Sequence, residues 1–166
     1  MWPALVKGML LKKTAKEALD FFVANLPCSG HNYLICDPKE AINVESTGRR
    51  VDITYRKEEP GVTFHTNHYV GPLKDVEILD RQSKTTHQRY QALEEFFSKV
   101  DERVTENDFL NFLFNPNPQY PIYIPKPKEP HGAMTCGGIL YNPALKKGKV
   151  FKGAYSEGNI REFSWE

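Results

Sequence analysis

The 166-residue sequence predicts an α+β fold. Helical periodicity near the start gives way to short alternating segments between Asn32 and Tyr69, and then to two helical patterns and three strand candidates. A parallel α/β sheet would need strict strand–helix alternation, which this order lacks.

The first clear element is a helix. Thr14 and Glu17 have capping-box spacing. Ala18, Leu19, Phe22, Val23 and Leu26 then recur at helical intervals, predicting a core-facing stripe, and Pro27 with Ser29-Gly30 ends it. Strands are predicted over 32–36, 41–45, 50–56 and 62–69, with turns at Asp37-Pro38 and Ser46-Thr47-Gly48. In the second, Ile42 and Val44 take one face and Asn43 and Glu45 the other; in the third, Val51, Ile53 and Tyr55 alternate with Asp52, Thr54 and Arg56. Short alternating strands joined by tight turns predict an antiparallel meander with one buried face.

Residues 86–100 carry Tyr90, Leu93, Phe96, Phe97 and Val100 at helical spacing. Thr105 and Asp108 open a shorter helix bearing Phe109, Leu110 and Leu113. The proline-dense stretch 116–130 reads as an extended surface loop. Strand candidates follow at 134–141, 149–155 and 160–165. The length suits one compact domain, so 1–166 is read as a single domain.

Composition excludes several function classes. Lys and Arg number 22 against 21 Asp and Glu, for a net charge of +1, so the chain lacks the basic footprint of a nucleic-acid binder. No apolar run approaches the roughly 20 residues of a membrane span, and no membrane partner is expected. The odd set Cys28, Cys36 and Cys136 contains no CxxC pair. That argues against a disulfide framework or a zinc site and fits a reducing cytoplasm. Each cysteine reads as a small buried hydrophobe. No cofactor or metal is expected; His65 and His68 would leave a strand on opposite faces.

The chemistry concentrates at 62–69. In a strand, Thr63, His65, Asn67 and Tyr69 would share one face, with Val62 and Phe64 starting the core side. Taken alone, that pattern fits a solvated outer face better than a site, because strand faces are commonly wet.

The segments Gly30-His31-Asn32-Tyr33-Leu34-Ile35-Cys36-Asp37 and His65-Thr66-Asn67-His68-Tyr69, in this order and separation, change that weighing. Together with the flanking helices they resemble the C-terminal half of the acyl-coenzyme A:isopenicillin N acyltransferase family, relatives of the choloylglycine and acylethanolamine hydrolases. The resemblance implies an N-terminal-nucleophile (Ntn) architecture of two antiparallel sheets between helical layers, αββα, here in part. It also implies a cysteine freed by self-cleavage, whose α-amine activates its thiol. By the same resemblance Asn67 is a donor to the oxyanion of an amide or acyl-coenzyme A substrate, and an arginine on the following helix belongs to the active site.

Two departures stand out. The family's Ser-Arg pair is absent from Ser83-Lys84-Thr85-Thr86-His87-Gln88-Arg89-Tyr90. Arg89 is the first candidate for the arginine, Arg81 the second, and Thr86-His87 occupies the pair's place. The nucleophile is the other departure: Trp2 after Met1 disfavours exposure of a new N-terminus, and Cys136 with His131 is the best internal alternative. The expectation is therefore a C-terminal part of a cysteine amidohydrolase or acyltransferase, inactive until a complementary nucleophile-bearing chain or self-association completes it. The alternative is a non-catalytic ligand-binding or truncated module of the same fold.

Overall fold

A computed structural model describes residues 2–57, 62–78, 85–99, 104–114, 122–124, 134–153 and 157–165. They form mixed helices and two antiparallel three-stranded sheets, an α+β arrangement. The chain divides into two compact units, Met1–Tyr90 and Gln91–Glu166.

The first unit opens with helix α1 (Trp2–Leu10) and helix α2 (Ala15–Ala24). Helix α1 escapes the sequence reading because its apolar residues show no clean period: Leu5 is buried, while Leu10 is 79% exposed. The cap of α2 is as expected, with Thr14 Oγ1 accepting the Glu17 N–H at 3.1 Å. Glu17 Oε2 in turn accepts the Lys13 N–H at 3.0 Å. Asp37, from the strand side, accepts the Ala15 N–H at 2.8 Å and ties the helix start to the sheet. Ala15, Ala18, Leu19 and Phe22 form the buried stripe. Val23 is a correction: it lies about 100° around the helix from Phe22 and is 51% exposed. Leu26, beyond the Asn25 C-cap, packs on the core from outside the helix.

Strands β1 (His31–Cys36), β2 (Ala41–Ser46) and β3 (Val51–Lys57) pair antiparallel in that order. Ile42 and Val44 of β2 join Leu5, Ala15, Ala18, Leu19, Phe22 and Ile35 in one core. Asn43 and Glu45 alternate to the opposite face and are equally inaccessible, at 2% and 0%. The central strand is thus buried on both faces, which corrects the expectation of one buried face.

What covers the second face is the segment 62–71, and it is not a strand. The N–H groups of Asn67, Tyr69, Val70 and Gly71 donate to Thr86 Oγ1, Glu77 Oε1 and the two oxygens of Glu45. Side chains satisfy this backbone in place of a neighbouring ladder, so strand alternation does not govern where Thr63, His65, Asn67 and Tyr69 point. A 3-10 helix, Pro72–Val76, follows, and then the first turn of helix α3 (Thr86–Lys99).

In the second unit α3 continues toward its end, and helix α4 (Glu106–Phe114) starts from a Thr105–Asp108 capping box. Phe96 of α3 stacks on Phe112 of α4 with centroids 4.1 Å apart. Strands β4 (Gly137–Asn142), β5 (Lys147–Lys152) and β6 (Ile160–Ser164) form the second meander. Phe114 packs edge-on against Phe151, and Lys149 Nζ lies 2.5 Å from Glu106 Oε1. Most of the 116–130 loop, Val100, Arg81 and His131 lie outside the described residues. Among those described, no helix is long and apolar enough to cross a membrane.

Candidate active site

The irregular segment 62–71 is held against β2 at several points. Asn43 Nδ2 donates to Thr63 Oγ1 at 3.2 Å and reaches the Phe64 carbonyl at 3.4 Å. Glu45 Oε1 faces His65 Nε2 at 2.7 Å. Tyr69 Oη donates to the Ser46 carbonyl at 2.9 Å, and its ring lies so close to Gly30 that a Cβ there would collide with the hydroxyl. The landmark at Gly30 and the one at Tyr69 therefore touch, which gives the spacing between them a physical reason.

Thr86, at the start of α3 and fully buried, anchors the other flank. Its Oγ1 accepts the Asn67 N–H at 2.8 Å and lies 3.0 Å from His68 Nδ1 and 3.0 Å from Thr66 Oγ1. The His68 ring is buried with its centroid 4.0 Å from that of His87. Burial first, and then the neighbouring His87, hold the His68 imidazole below its ordinary titration range; Glu77 acts in the opposite sense. His68 faces Thr86 and His87, while His65 faces Glu45, so the two rings serve different contacts. Among the described residues, no group of three or more His, Cys, Asp or Glu side chains could hold a metal ion.

Asn67 and Arg89, named separately from the sequence, are brought together. Arg89 Nη2 donates to Asn67 Oδ1 at 2.7 Å, and Arg89 Nε reaches Thr85 Oγ1 at 3.3 Å. Burial lowers the Arg89 guanidinium from its ordinary value, yet arginine remains protonated at any working pH. A guanidinium has donors only, so the atom it faces must be the amide oxygen. That fixes the rotation of the Asn67 amide and leaves both Nδ2 hydrogens for another acceptor. Asn67 is exposed and lines a cleft of about 870 Å³ shared with His31, Arg49, His65, Tyr69 and Glu77.

The sequence reading missed Glu45 and Glu77 as parts of this site, and named Thr86 only as standing, with His87, in the place of the family's pair. The available signal was a carboxylate directly after Val44 in a strand that also carries Ile42; such a group, when buried, needs donors.

The cysteines correct a further expectation, because Cys28, Cys36 and Cys136 are all exposed. Cys28 sits in the turn after α2 and Cys36 at the end of β1. Although its residue surface is open, partial desolvation of the sulfur and then the adjacent Asp37 push the Cys36 thiol up. Cys136 Sγ makes only a long contact of 3.6 Å to the Met134 carbonyl. Among the described residues none of the three is hydrogen-bonded to a base.

Comparison with known proteins gives the family. A family model described as acyl-coenzyme A:6-aminopenicillanic acid acyl-transferase matches residues 4–121, more than two thirds of the chain. No curated protein matches it. The chain belongs to that acyltransferase family.

Proposed function

From this family membership, we propose that the chain is the oxyanion-stabilising part of a cysteine acyltransferase or amidohydrolase of the Ntn type, acting on amide or acyl-coenzyme A substrates. The observation that carries the reading is the Arg89–Asn67 hydrogen bond, which turns the Asn67 Nδ2 donors away from the guanidinium at the edge of an open cleft.

The chemistry follows from what those donors can do. A thiolate attacks the substrate carbonyl carbon, and the carbonyl π electrons move onto oxygen as an oxyanion. The two Nδ2–H groups of Asn67 meet that charge as it develops. A fixed donor in such a position is worth about 3 kcal/mol. Collapse expels the amine or thiol leaving group with a proton and leaves an acyl-enzyme, which water or an acceptor amine then resolves. Arg89 acts through Asn67, by holding the amide in one orientation.

The thiolate is supplied from outside the three cysteines, none of which is hydrogen-bonded to a base among the described residues, and a complementary nucleophile-bearing chain is the partner this reading requires. The whole chain contributes as one domain of an αββα arrangement. Asn67→Ala in the enzyme assembled with that nucleophile tests the assignment. Turnover should fall on the order of a hundredfold or more. Unchanged turnover would remove the oxyanion role and favour a non-catalytic ligand-binding module.

A further inference from the structure

We propose that Glu45, a strand residue that does not line the cleft, is a positioning residue for Asn67. This rests on the reading of Asn67 above. The Glu45 side chain has no solvent exposure. Its Oε1 faces His65 Nε2 at 2.7 Å and accepts the Val70 N–H at 2.5 Å, while Oε2 accepts the Gly71 N–H at 3.1 Å. One carboxylate therefore clips residue 65 on one side of Asn67 and residues 70 and 71 on the other.

The bonding leaves little slack. His65 Nδ1 lies 2.6 Å from the Thr66 carbonyl, which can only accept, so Nδ1 carries a hydrogen. The contact between Nε2 and Glu45 Oε1 is then closed by one proton, whichever of the two atoms holds it. Gly71 shows how close the backbone comes. A Cβ there would stand 2.6 Å from Asp52 Oδ2 and 3.2 Å from Glu45 Oε2, so a side chain would push the loop off its acceptor. Asp52 is the cross-strand partner of Glu45, a second carboxylate on the same face.

A buried carboxylate is a costly way to fill the centre of a sheet, and an apolar residue of similar volume would pack there without desolvating a charge. What the carboxylate adds is geometry. It offers acceptors to the Val70 and Gly71 N–H groups of a loop that has no ladder partner and meets His65 on the other flank of the residue whose amide must be aimed. Thr86 fixes the Asn67 N–H and Arg89 fixes its side chain. Glu45 fixes the segment between those two contacts and the sheet.

Glu45→Gln in the intact chain is the test, because the amide keeps the shape but turns one of the two acceptor oxygens into a donor NH2. Hydrogen exchange read by NMR should show the Val70 and Gly71 amides exchanging at least about tenfold faster, with the Asn67 side-chain NH2 resonances shifted. Amides of the β1–β2 ladder should stay protected. Glu45→Asp, one methylene shorter, should fail to restore slow exchange, whereas a simple need for charge would be met by it. In the assembled enzyme kcat should fall at least about tenfold with KM within about twofold. If Glu45→Gln does not fold, the unmodified chain still decides. Its Val70 and Gly71 amides should exchange as slowly as the β1–β2 ladder, and fast exchange overturns the proposal. Unchanged exchange in a folded Glu45→Gln overturns this inference and leaves Asn67 as the oxyanion donor. Loosened exchange together with full turnover in Asn67→Ala overturns the reading of Asn67, and with it the positioning role.

Discussion

Strand β2 closes one face with carbon and the other with hydrogen bonds. On the first, Ile42 and Val44 meet helix α2 and Leu5 of α1, an apolar contact that stabilises in proportion to area and tolerates small shifts. On the second, Asn43 donates to the Thr63 hydroxyl and Glu45 accepts the Val70 and Gly71 N–H groups of an irregular segment. The two faces are equally dry. The apolar face gives stability that is spread over many contacts, whereas the polar face gives a definite conformation that depends on a few atoms. The site lies on the polar face because aiming a side-chain amide needs directional contacts.

Substitutions on each face should separate these contributions. Ile42→Ala removes a fully buried side chain and leaves a cavity, and should cost about 2–5 kcal/mol in urea unfolding followed by circular dichroism. The conformation around Asn67, read by NMR, should be preserved in the molecules that remain folded. Asn43→Ala on the other face should cost less, about 1–3 kcal/mol, because it strands the donors and acceptors of Asn32 and Thr63 without a comparable cavity. Its larger effect should fall on the 62–71 segment, as faster amide exchange there. A result with the two patterns reversed would contradict the division of labour between the faces.

Smaller effects sharpen the same picture. Thr14→Ala removes the cap of α2, which serves the apolar face alone, and should cost about 0.5–2 kcal/mol with no change at Asn67. His68 gives the polar side a dependence on pH. Its folded titration point lies below the ordinary value of about 6.5, so the unfolded chain takes up the proton first as pH falls. The stabilisation is complete above that ordinary value and is lost as pH falls through the lower folded value. The urea midpoint should therefore drop on acidification, and the drop should shrink in His68→Asn. Finally, all three cysteines should react with a thiol reagent in the folded chain, Cys36 slowest at neutral pH because its thiol is pushed up.

Much of the fold was legible in local pattern. The Thr14–Glu17 cap, the 31–36, 41–46 and 51–57 strands, the Thr105–Asp108 cap and the last meander all follow from propensity and periodicity, which act over a few residues. The stretch 62–69 was misread for a physical reason. Its alternation of Thr63, His65, Asn67 and Tyr69 looks like a strand, but its hydrogen-bonding partners lie about 20 residues away in Glu45 and Thr86, and no local signal announces them. The same holds for the second buried face of β2. The polar alternation of Asn43 and Glu45 reads as solvent exposure until the covering segment is in place. At the site, family likeness named Asn67 and Arg89, whereas their hydrogen bond and the carboxylate beneath them required coordinates. The exposed cysteines were missed because a residue-type average says nothing of a turn or a strand end.

Oxyanion stabilisation requires Nδ2 of Asn67 to donate while Oδ1 is held by Arg89, and Asn67→Asp isolates that atom. The aspartate keeps the size of the side chain and the contact to Arg89, but replaces the two donor hydrogens with an acceptor oxygen. In the enzyme assembled with its nucleophile, Asn67→Asp should fold with the wild-type exchange pattern over 62–71 and lose turnover on the order of a hundredfold or more. Turnover close to wild type in that folded variant would contradict the oxyanion role.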